Sequence, residues 1–237
     1  MGGLGLWLKN RLRDPSLGAP DIRTLDAIWT EVFEQRTYDC PRFDVRSRDA
    51  VVLDVGAHVG VFSAWVAERY RPRAVFAFEA SPVTYGYLVR NLLRLSRTHP
   101  VTSFLPLQGA VSERADQIVT LYHQPGRTAT STVRAEGQRG GEPRLVRTTT
   151  VSQQLLVHRI DQVDLLKIDV EGHFLEVLRG IDEPDFAKIR NLAIECDWMS
   201  EGAPERGAVE GLLRDRGYKT EVDDPRKRNN VIVYAYR

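Results

Sequence analysis

The chain has 237 residues and a mass of 26.9 kDa, which suits one α/β domain with a full hydrophobic core. Its 42% hydrophobic and 27% charged residues are ordinary for a globular protein and exclude a disordered, collagen-like or coiled-coil chain. Because 33 Lys+Arg residues face 32 Asp+Glu, the net charge of +1 favours neither nucleic acid nor an anionic membrane as a partner.

The cysteine content and the N-terminal residues indicate the cellular compartment of the protein. Cys40 and Cys196 are too few for a disulfide framework and lack metal-ligand spacing. We expect two free thiols in a reducing compartment, by default the cytoplasm. No apolar run reaches the roughly 18 residues of a transmembrane helix. The apolar opening Met1–Leu8 precedes its basic residues, the reverse of a secretory signal, so we expect no signal peptide.

The predicted secondary-structure elements divide the chain into two parts at residue 50. We expect residues 1–49 to form a helical segment and residues 50–237 to form one domain, in which apolar runs alternate with amphipathic helices as in a parallel sheet with crossovers. The predicted parallel strands are Ala50–Val55, Ala74–Phe78, Ser103–Leu107, Leu165–Val170 and Leu192–Glu195. The predicted helices follow Gly60, start at Pro82, carry Phe174 to Ile181, and span about Glu205–Arg216.

Two parts of the chain depart from this alternation. Residues 113–150 contain short strand patterns with Gly and Pro between them, which predicts an inserted antiparallel hairpin or meander. Its strands are Ile118–Tyr122, Thr130–Val133 and Leu145–Val151. The last strands, Tyr218–Val222 and Asn230–Tyr236, are too close in sequence for a helical crossover and must be antiparallel.

A glycine motif follows the first predicted strand, where an open α/β sheet binds nucleotide-type cofactors. In Asp54–Gly60, the position where a dinucleotide fingerprint needs its second glycine carries His58, so pyrophosphate fits poorly. A cofactor without phosphates needs only the tight turn and close passage that Gly56 and Gly60 supply. S-adenosylmethionine meets that requirement, whereas a nicotinamide dehydrogenase is disfavoured.

Glu79 ends the second predicted strand and is followed by Ala80-Ser81-Pro82. A carboxylate there can accept two hydrogen bonds from a ribose diol. The alternative is a cap or surface ion pair at the start of the helix.

The segment Leu165–Gly172 places three charges where a central strand is normally apolar. Strand alternation would put Lys167, Asp169 and Glu171 on one face, which is costly without pairing or solvent. One interpretation is a structural Lys167–Asp169 pair. The other is a substrate-facing cluster, in which Glu171 or His173 takes a proton and Lys167 and Asp169 orient that base or the substrate.

These motifs together resemble the FkbM-type methyltransferases, a branch of the class I S-adenosylmethionine-dependent fold. The resemblance spans about residues 25–195 and is carried by the segments Asp54–Ser63, Phe78–Pro82, Lys167–Gly172 and Glu176–Gly180. It implies a Rossmann-like, seven-stranded, mostly parallel sheet and methylation of an oxygen. It also implies cofactor binding along the first two motifs, at Asp54, Gly56, Ala57, His58, Gly60, Glu79, Ala80 and Ser81, with Asp169 nearby.

The fold and the resemblance add three expectations. The fold would assign adenine recognition to Gly109, Ala110 and Val111 at the end of the third strand. Tyr38 follows an apolar helix face made of Ile28, Trp29, Val32 and Phe33. It would fold the N-terminal segment as a lid over the methionine end of the cofactor, or it would simply pack in the core. The sequence departs from the family where Thr150-Val151-Ser152 replaces the usual Thr-Leu-Asp, so the role of that carboxylate is in doubt here.

The sequence offers oxygen ligands for a metal ion but no motif that requires one. Asp169, Glu171, Glu195 and Asp197 end neighbouring strands and could supply oxygens to Mg²⁺, but their spacing does not demand it. His58, His123, His158 and His173 form no ligand motif, so no metal site is expected.

The sequence therefore predicts an O-methyltransferase that acts on a hydroxyl of a small molecule, in natural-product or sugar tailoring. An N-methyltransferase and a non-catalytic S-adenosylmethionine-binding protein stay open as alternatives. Oligomeric state is undetermined, with a homodimer among the options.

Overall fold

The computed structural model describes residues 18–20, 22–45, 47–123, 142–196, 203–223 and 231–237. Its ten strands are β1 Val51–Val55, β2 Ala74–Glu79, β3 Ser103–Gln108, β4 Ala110–Val111, β5 Ile118–His123, β6 Glu142–Thr149, β7 Leu165–Ile168, β8 Asn191–Cys196, β9 Lys219–Val222 and β10 Val231–Tyr236. The α-helices are α1 Ile22–Trp29, α2 Val61–Tyr70, α3 Pro82–Thr98, α4 Val151–Val157, α5 Phe174–Arg179 and α6 Ala203–Asp215. A π-helical turn, Thr30–Glu34, follows α1, and a 3₁₀ helix, Glu183–Lys188, precedes β8.

Seven strands form one sheet in the order β3-β2-β1-β7-β8-β10-β9. The first five are mutually parallel, as predicted. β10 is antiparallel to both β8 and β9, which confirms the C-terminal hairpin. In the described part of the chain, no helix is both long and apolar enough to cross a membrane.

An apolar layer covers each face of the sheet, because successive side chains of a strand point to opposite faces. Val51, Leu53 and Val55 of β1 face a cluster that includes residues of α4, α5 and α6. Val52 faces the other cluster, which includes residues of α1, α2 and α3. The central strands are thus buried on both faces, as parallel crossover topology requires.

The inserted strands β5 and β6 join β4 in a second, three-stranded sheet in the order β4-β6-β5. β5 and β6 are antiparallel, as predicted, whereas β4 pairs with β6 in parallel and occupies part of Gly109–Ser112, where only a turn was predicted. The predicted strand Thr130–Val133 lies outside the described residues.

The predicted strand Leu145–Val151 is wrong at its end. β6 stops at Thr149, and Thr150 caps α4 by accepting a hydrogen bond on Oγ1 from the Gln153 backbone N–H at 3.0 Å. Capping ends the strand because the cap side chain satisfies an N–H that the helix leaves unpaired.

The predicted strand Leu165–Val170 is also too long. β7 ends at Ile168, and the chain turns with positive φ at Glu171 (50°) and Gly172 (82°). The strict alternation expected for Lys167, Asp169 and Glu171 therefore stops before Glu171, which lies in the turn.

Close packing requires a glycine at position 180. A Cβ built on Gly180 would lie 2.1 Å from the carbonyl oxygen of Ser112, just after β4. Gly180 ends α5 with a φ of −80°, so the expected cap is present but the left-handed conformation usual for a capping glycine is absent. The contact fixes α5 against the inserted sheet.

We predict that Gly180→Ala destabilises the fold, because the clashing atom is backbone and cannot rotate away. Overpacking of this kind costs about 2 kcal/mol, or roughly 4–8 °C in Tm for a chain of this size. Gly211→Ala in α6 is the matched control, since a Cβ there meets nothing within 4 Å. Differential scanning calorimetry that gave both variants the same Tm would contradict this explanation.

Candidate functional site

A cavity of about 370 Å³ opens at the carboxyl ends of the parallel strands, within the size range of small-molecule sites. The turns after β1, β2, β3 and β7 line it, together with α1, Tyr38 and the end of β8. The lining residues are Thr24, Ala27, Ile28, Glu31, Val32, Tyr38, Val55, Gly56, Ala57, His58, Val61, Phe62, Phe78, Glu79, Ala80, Gly109, Ala110, Val111, Leu121, Lys167, Asp169, Val170, Glu171, His173 and Glu195.

The turn between β1 and α2 is held by both neighbouring strands. The backbone N–H groups of Gly56 and Ala57 donate to the Phe78 carbonyl oxygen, at 3.1 and 2.8 Å. Gly56 has a φ of 78°, and a Cβ there would lie 1.7 Å from the Asp169 carbonyl oxygen. The protein's own backbone therefore requires a glycine at this position, whether or not a ligand is bound.

Glu79 is positioned by backbone donors on both sides. Its two carboxylate oxygens accept from the His58 N–H at 2.9 Å and from the Ser81 N–H at 2.8 Å. Burial raises the pKa of Glu79 to about 7, against the lowering effect of these two bonds. Ser81, and not Glu79, caps α3, because its Oγ accepts from the Thr84 N–H at 3.4 Å.

A buried ammonium group lies at the floor of the cavity. Lys167 Nζ lies 3.2 Å from Asp54 Oδ1 and 3.1 Å from Asp169 Oδ2, and it donates to the Gly56 carbonyl oxygen at 2.8 Å. Burial alone would lower the pKa of Lys167, but the charges of Asp169 and Asp54 outweigh it and raise that pKa above its ordinary value. The Lys167–Asp169 pair considered from sequence is therefore present, and it extends to Asp54.

The strand register explains this pairing. Asp54 and Lys167 are direct neighbours on β1 and β7, and the residues flanking them on the next strands are Ala77 and Ala193. Two small side chains leave room for the polar pair inside the layer.

Tyr38 joins the N-terminal segment to this floor. Its hydroxyl is 2.7 Å from Glu195 Oε2 and 3.3 Å from Asp169 Oδ2. Burial, followed by the charges of Asp169 and Glu195, raises the pKa of Tyr38 well above its ordinary value, so the hydroxyl stays a donor. Its ring also packs edge-on against Phe62, with centroids 5.2 Å apart, so core packing and cavity lining occur together.

A second polar group forms the wall after β7. A 2.9 Å hydrogen bond joins Ser112 Oγ and His173 Nε2, and His173 Nδ1 lies 3.6 Å from Glu176 Oε2. Glu171 precedes this group in the turn and also lines the cavity. A carboxylate and an imidazole are thus brought to one side of the cavity.

Most of the predicted site residues line this cavity, but three do not. Asp54 is fully buried and accepts from Ser63 Oγ at 2.7 Å, so it lies beneath the floor. Gly60 packs against Leu88 of α3, and Ser81 serves as the helix cap.

Sequence reasoning missed part of the lining and assigned one acid a different role. Phe62 and Leu121 line the cavity from α2 and β5, and Glu31 reaches it from the π-helical turn. Glu195 was considered only as a metal ligand. The sequence signal that could have identified Glu195 as a lining residue was its position at the end of a predicted parallel strand, since the carboxyl ends of such strands meet at one edge of the sheet.

The remaining sequence features lie elsewhere. Ser152 Oγ accepts from the Asp182 N–H at 2.7 Å, so it joins α4 to the chain after α5. Among the described residues, no three His, Cys, Asp or Glu side chains are placed to hold a metal ion, and Asp197 lies outside them.

The side chains that line the cavity suit the ribose and the base of an adenosyl cofactor. Glu79 can accept hydroxyl donors from a ribose, and Phe78, Val111 and Leu121 offer apolar surface for a flat base. Lys167 is the one lysine or arginine among the described lining residues, and it is already paired. The described part of the site therefore lacks the basic groups that a pyrophosphate would need.

Comparisons with known proteins agree with this chemistry. Residues 54–220 match the family described as Methyltransferase FkbM domain. Methyltransferase sdnD of Sordaria araneosa is 29% identical over 220 residues, covering 83% of each chain. The 31-O-demethyl-FK506 methyltransferase FkbM of Streptomyces tacrolimicus is 28% identical over 229 residues, covering 84% of each.

A solved structure shares the fold. Methyltransferase FkbM from Methylobacillus flagellatus KT superposes with a TM-score of 0.54 at 17% identity, covering 98% of this chain and 58% of that one. Since the family match covers most of the chain, the protein belongs to the FkbM family of S-adenosylmethionine-dependent methyltransferases and has the class I, Rossmann-like fold.

Proposed function

We propose that this methyltransferase transfers a methyl group to a hydroxyl oxygen of a small molecule, in natural-product or sugar tailoring. The observation that carries the proposal is that Glu171 and His173 line the same cavity as Glu79. The carboxylate proposed to bind the cofactor and the two candidate bases thus lie in one cavity. The Streptomyces relative is named for methylating 31-O-demethyl-FK506, which supports an oxygen acceptor.

Cofactor binding is proposed to use the residues around the first two turns. The Glu79 carboxylate would accept from the ribose hydroxyls, and backbone at Gly109, Ala110 and Val111 would contact the adenine. Tyr38 and α1 would cover the cavity as a lid, which excludes water from the transfer. S-adenosylmethionine, when bound, supplies an electrophilic methyl group on a sulfonium sulfur.

Acceptor activation is proposed to use Glu171. An alcohol is a weak nucleophile, so a positioned base that removes its proton raises the rate. Both ring nitrogens of His173 already face protein groups, namely Ser112 and Glu176. We propose Glu171, a carboxylate in the turn that lines the cavity, as the base, with His173 shaping the wall beside it and Lys167 and Asp169 holding the turn in place.

The acceptor atom can be identified with ¹³C-methyl S-adenosylmethionine and a panel of sugars, hydroxylated natural-product scaffolds and matching amines. We expect methyl-ether carbon signals in the NMR spectrum of the product, with one S-adenosylhomocysteine formed per methyl transferred. N-methyl signals from the amines alone would overturn the oxygen assignment. Cofactor binding without turnover on any acceptor would favour the non-catalytic alternative.

We predict that S-adenosylhomocysteine binds about tenfold more tightly at pH 8 than at pH 6. The ribose hydroxyls bind more strongly to the ionised carboxylate than to the protonated carboxyl, and a Glu79 pKa of about 7 makes the ionised form the minority at pH 6 and the majority at pH 8. Isothermal titration calorimetry would measure this.

Glu79→Gln is the control for that pH profile. Its affinity should be weaker by about 10- to 100-fold at pH 8, because a charged hydrogen bond is worth roughly 1.5–3 kcal/mol. The variant should also lose the pH dependence, whereas a pH dependence that came from any other group would survive in it. An unchanged profile would therefore assign the titration to another group.

Glu171→Gln tests the base. We expect kcat to fall by about 100-fold or more, because an amide of the same shape cannot take the proton, while S-adenosylhomocysteine affinity stays within about twofold. Glu183→Gln is the matched control, since that side chain is 71% exposed and pairs with Arg216. Full turnover in folded Glu171→Gln would exclude Glu171 as the base.

A further inference from the structure

The backbone of Asp169 is fixed against the strand and turn beside it. Its N–H donates to the Val55 carbonyl oxygen at 3.1 Å, and its own carbonyl oxygen lies against Gly56, in the space that a Cβ there would fill. Its side chain is 28% exposed and lines the cavity. The main chain therefore decides where this carboxylate meets the cavity.

Protein groups in the described part of the chain contact one oxygen of the Asp169 carboxylate and leave the other open. Oδ2 lies 3.1 Å from Lys167 Nζ and 3.3 Å from the Tyr38 hydroxyl. Among the described residues, Oδ1 has no hydrogen-bond or ion-pair partner. Each oxygen of an ionised carboxylate can accept hydrogen bonds. Oδ1 is thus the oxygen that a ligand in the cavity can use.

Strand register places Asp169 level with Glu79. Phe78 of β2, Val55 of β1 and Ile168 of β7 form one row across the sheet. Glu79 and Asp169 each come directly after this row, with β1 between their strands. Neighbouring strands lie about 4.8 Å apart, so roughly 10 Å separates the two backbone positions. Two carboxylates thus line one cavity on either side of the glycine turn.

An adenosyl cofactor carries hydrogen-bond donors at a matching separation. Its ribose has hydroxyl groups, its amino-acid end has an ammonium group, and the chain that joins them spans roughly 7 Å when extended. Hydrogen bonds of about 2.9 Å at the two ends cover the remaining distance. An ammonium group forms its strongest hydrogen bonds with ionised oxygens. A cofactor whose ribose binds Glu79 can therefore reach Asp169 with its amino group.

We propose that Asp169 Oδ1 accepts a hydrogen bond from the amino group of the cofactor. Lys167 and Tyr38 are positioning residues in this arrangement, because they hold Oδ2 at the floor and so direct Oδ1 to the ligand. The inference rests on the proposed binding of the ribose by Glu79. It does not depend on which acceptor atom is methylated.

A direct test compares S-adenosylhomocysteine with its analogue that lacks the amino group, by isothermal titration calorimetry without an acceptor. We expect wild type to bind S-adenosylhomocysteine about 10- to 100-fold more tightly, as for loss of a hydrogen bond between charged groups. Asp169→Asn keeps the shape and removes the charge, so it should lower this preference to about threefold or less. The preference should fall because S-adenosylhomocysteine binds more weakly.

Asp185→Asn is the matched control for that variant. Asp185 also pairs with a lysine, Lys188, at 2.8 Å, but it is not among the described residues that line the cavity. The control should keep the wild-type preference. A variant that merely disturbs the cavity weakens both ligands alike, so the preference separates a contact with the amino group from a change in structure.

Tyr38→Phe tests the positioning role, since it keeps the ring that packs on Phe62 and removes the hydroxyl. It should lower the preference by about threefold in the wild-type background and by nothing further in Asp169→Asn, because residues that act through each other are not additive. Tyr236→Phe is the control. It loses a 2.8 Å hydrogen bond to Glu221 away from the described cavity lining and should keep the preference.

Equal affinities of wild type for the two ligands would overturn the proposal even if Asp169→Asn failed to fold. The wild-type preference in folded Asp169→Asn would overturn it as well, and the wild-type preference in Tyr38→Phe would exclude Tyr38 as a positioning residue. Glu79→Gln should weaken both ligands and keep the preference. A failure of the ribose assignment is thus distinguished from a failure of this inference.

Discussion

The buried Lys167 ammonium is the interaction on which the site depends. It joins the Asp54 carboxylate of β1, the Asp169 carboxylate after β7 and the Gly56 carbonyl of the turn between β1 and α2. Three segments that are distant in sequence meet at one nitrogen atom. Removing that charge would leave the fully buried Asp54 carboxylate and the partly buried Asp169 carboxylate without their cation, and breaking a buried ion pair typically costs several kcal/mol. The geometry of the cavity floor therefore follows from this one group.

Close backbone contacts bring neighbouring segments together in the same region. Gly56 allows the Asp169 carbonyl to approach, and Gly180 allows the Ser112 carbonyl to approach from the inserted sheet. In both places a strand end lies directly against a neighbouring turn with no side chain between them. Glu79 and the wall with Glu171 and His173 are thus held on one framework, which suits the proposed methyl transfer because that reaction depends on positioning.

The sheet and the location of the site could be predicted from sequence because both follow from local patterns. Apolar runs ending in Gly56 or Glu79 identify parallel strands, and the carboxyl ends of such strands meet at one edge. The β4 strand and α4 could not be predicted in this way. β4 is two residues long and exists only because β6 pairs with it, and α4 follows a strand pattern that its cap at Thr150 interrupts.

The sequence by itself determined the fold class, the family and the motif residues, since periodicity and short motifs are properties of neighbouring residues. Tertiary structure alone decided how those residues are used. It placed Asp54 beneath the floor and Glu171 in a turn, and it brought Tyr38 to Glu195. These outcomes depend on register, burial and backbone approach between distant segments, and no local pattern in the chain records such contacts.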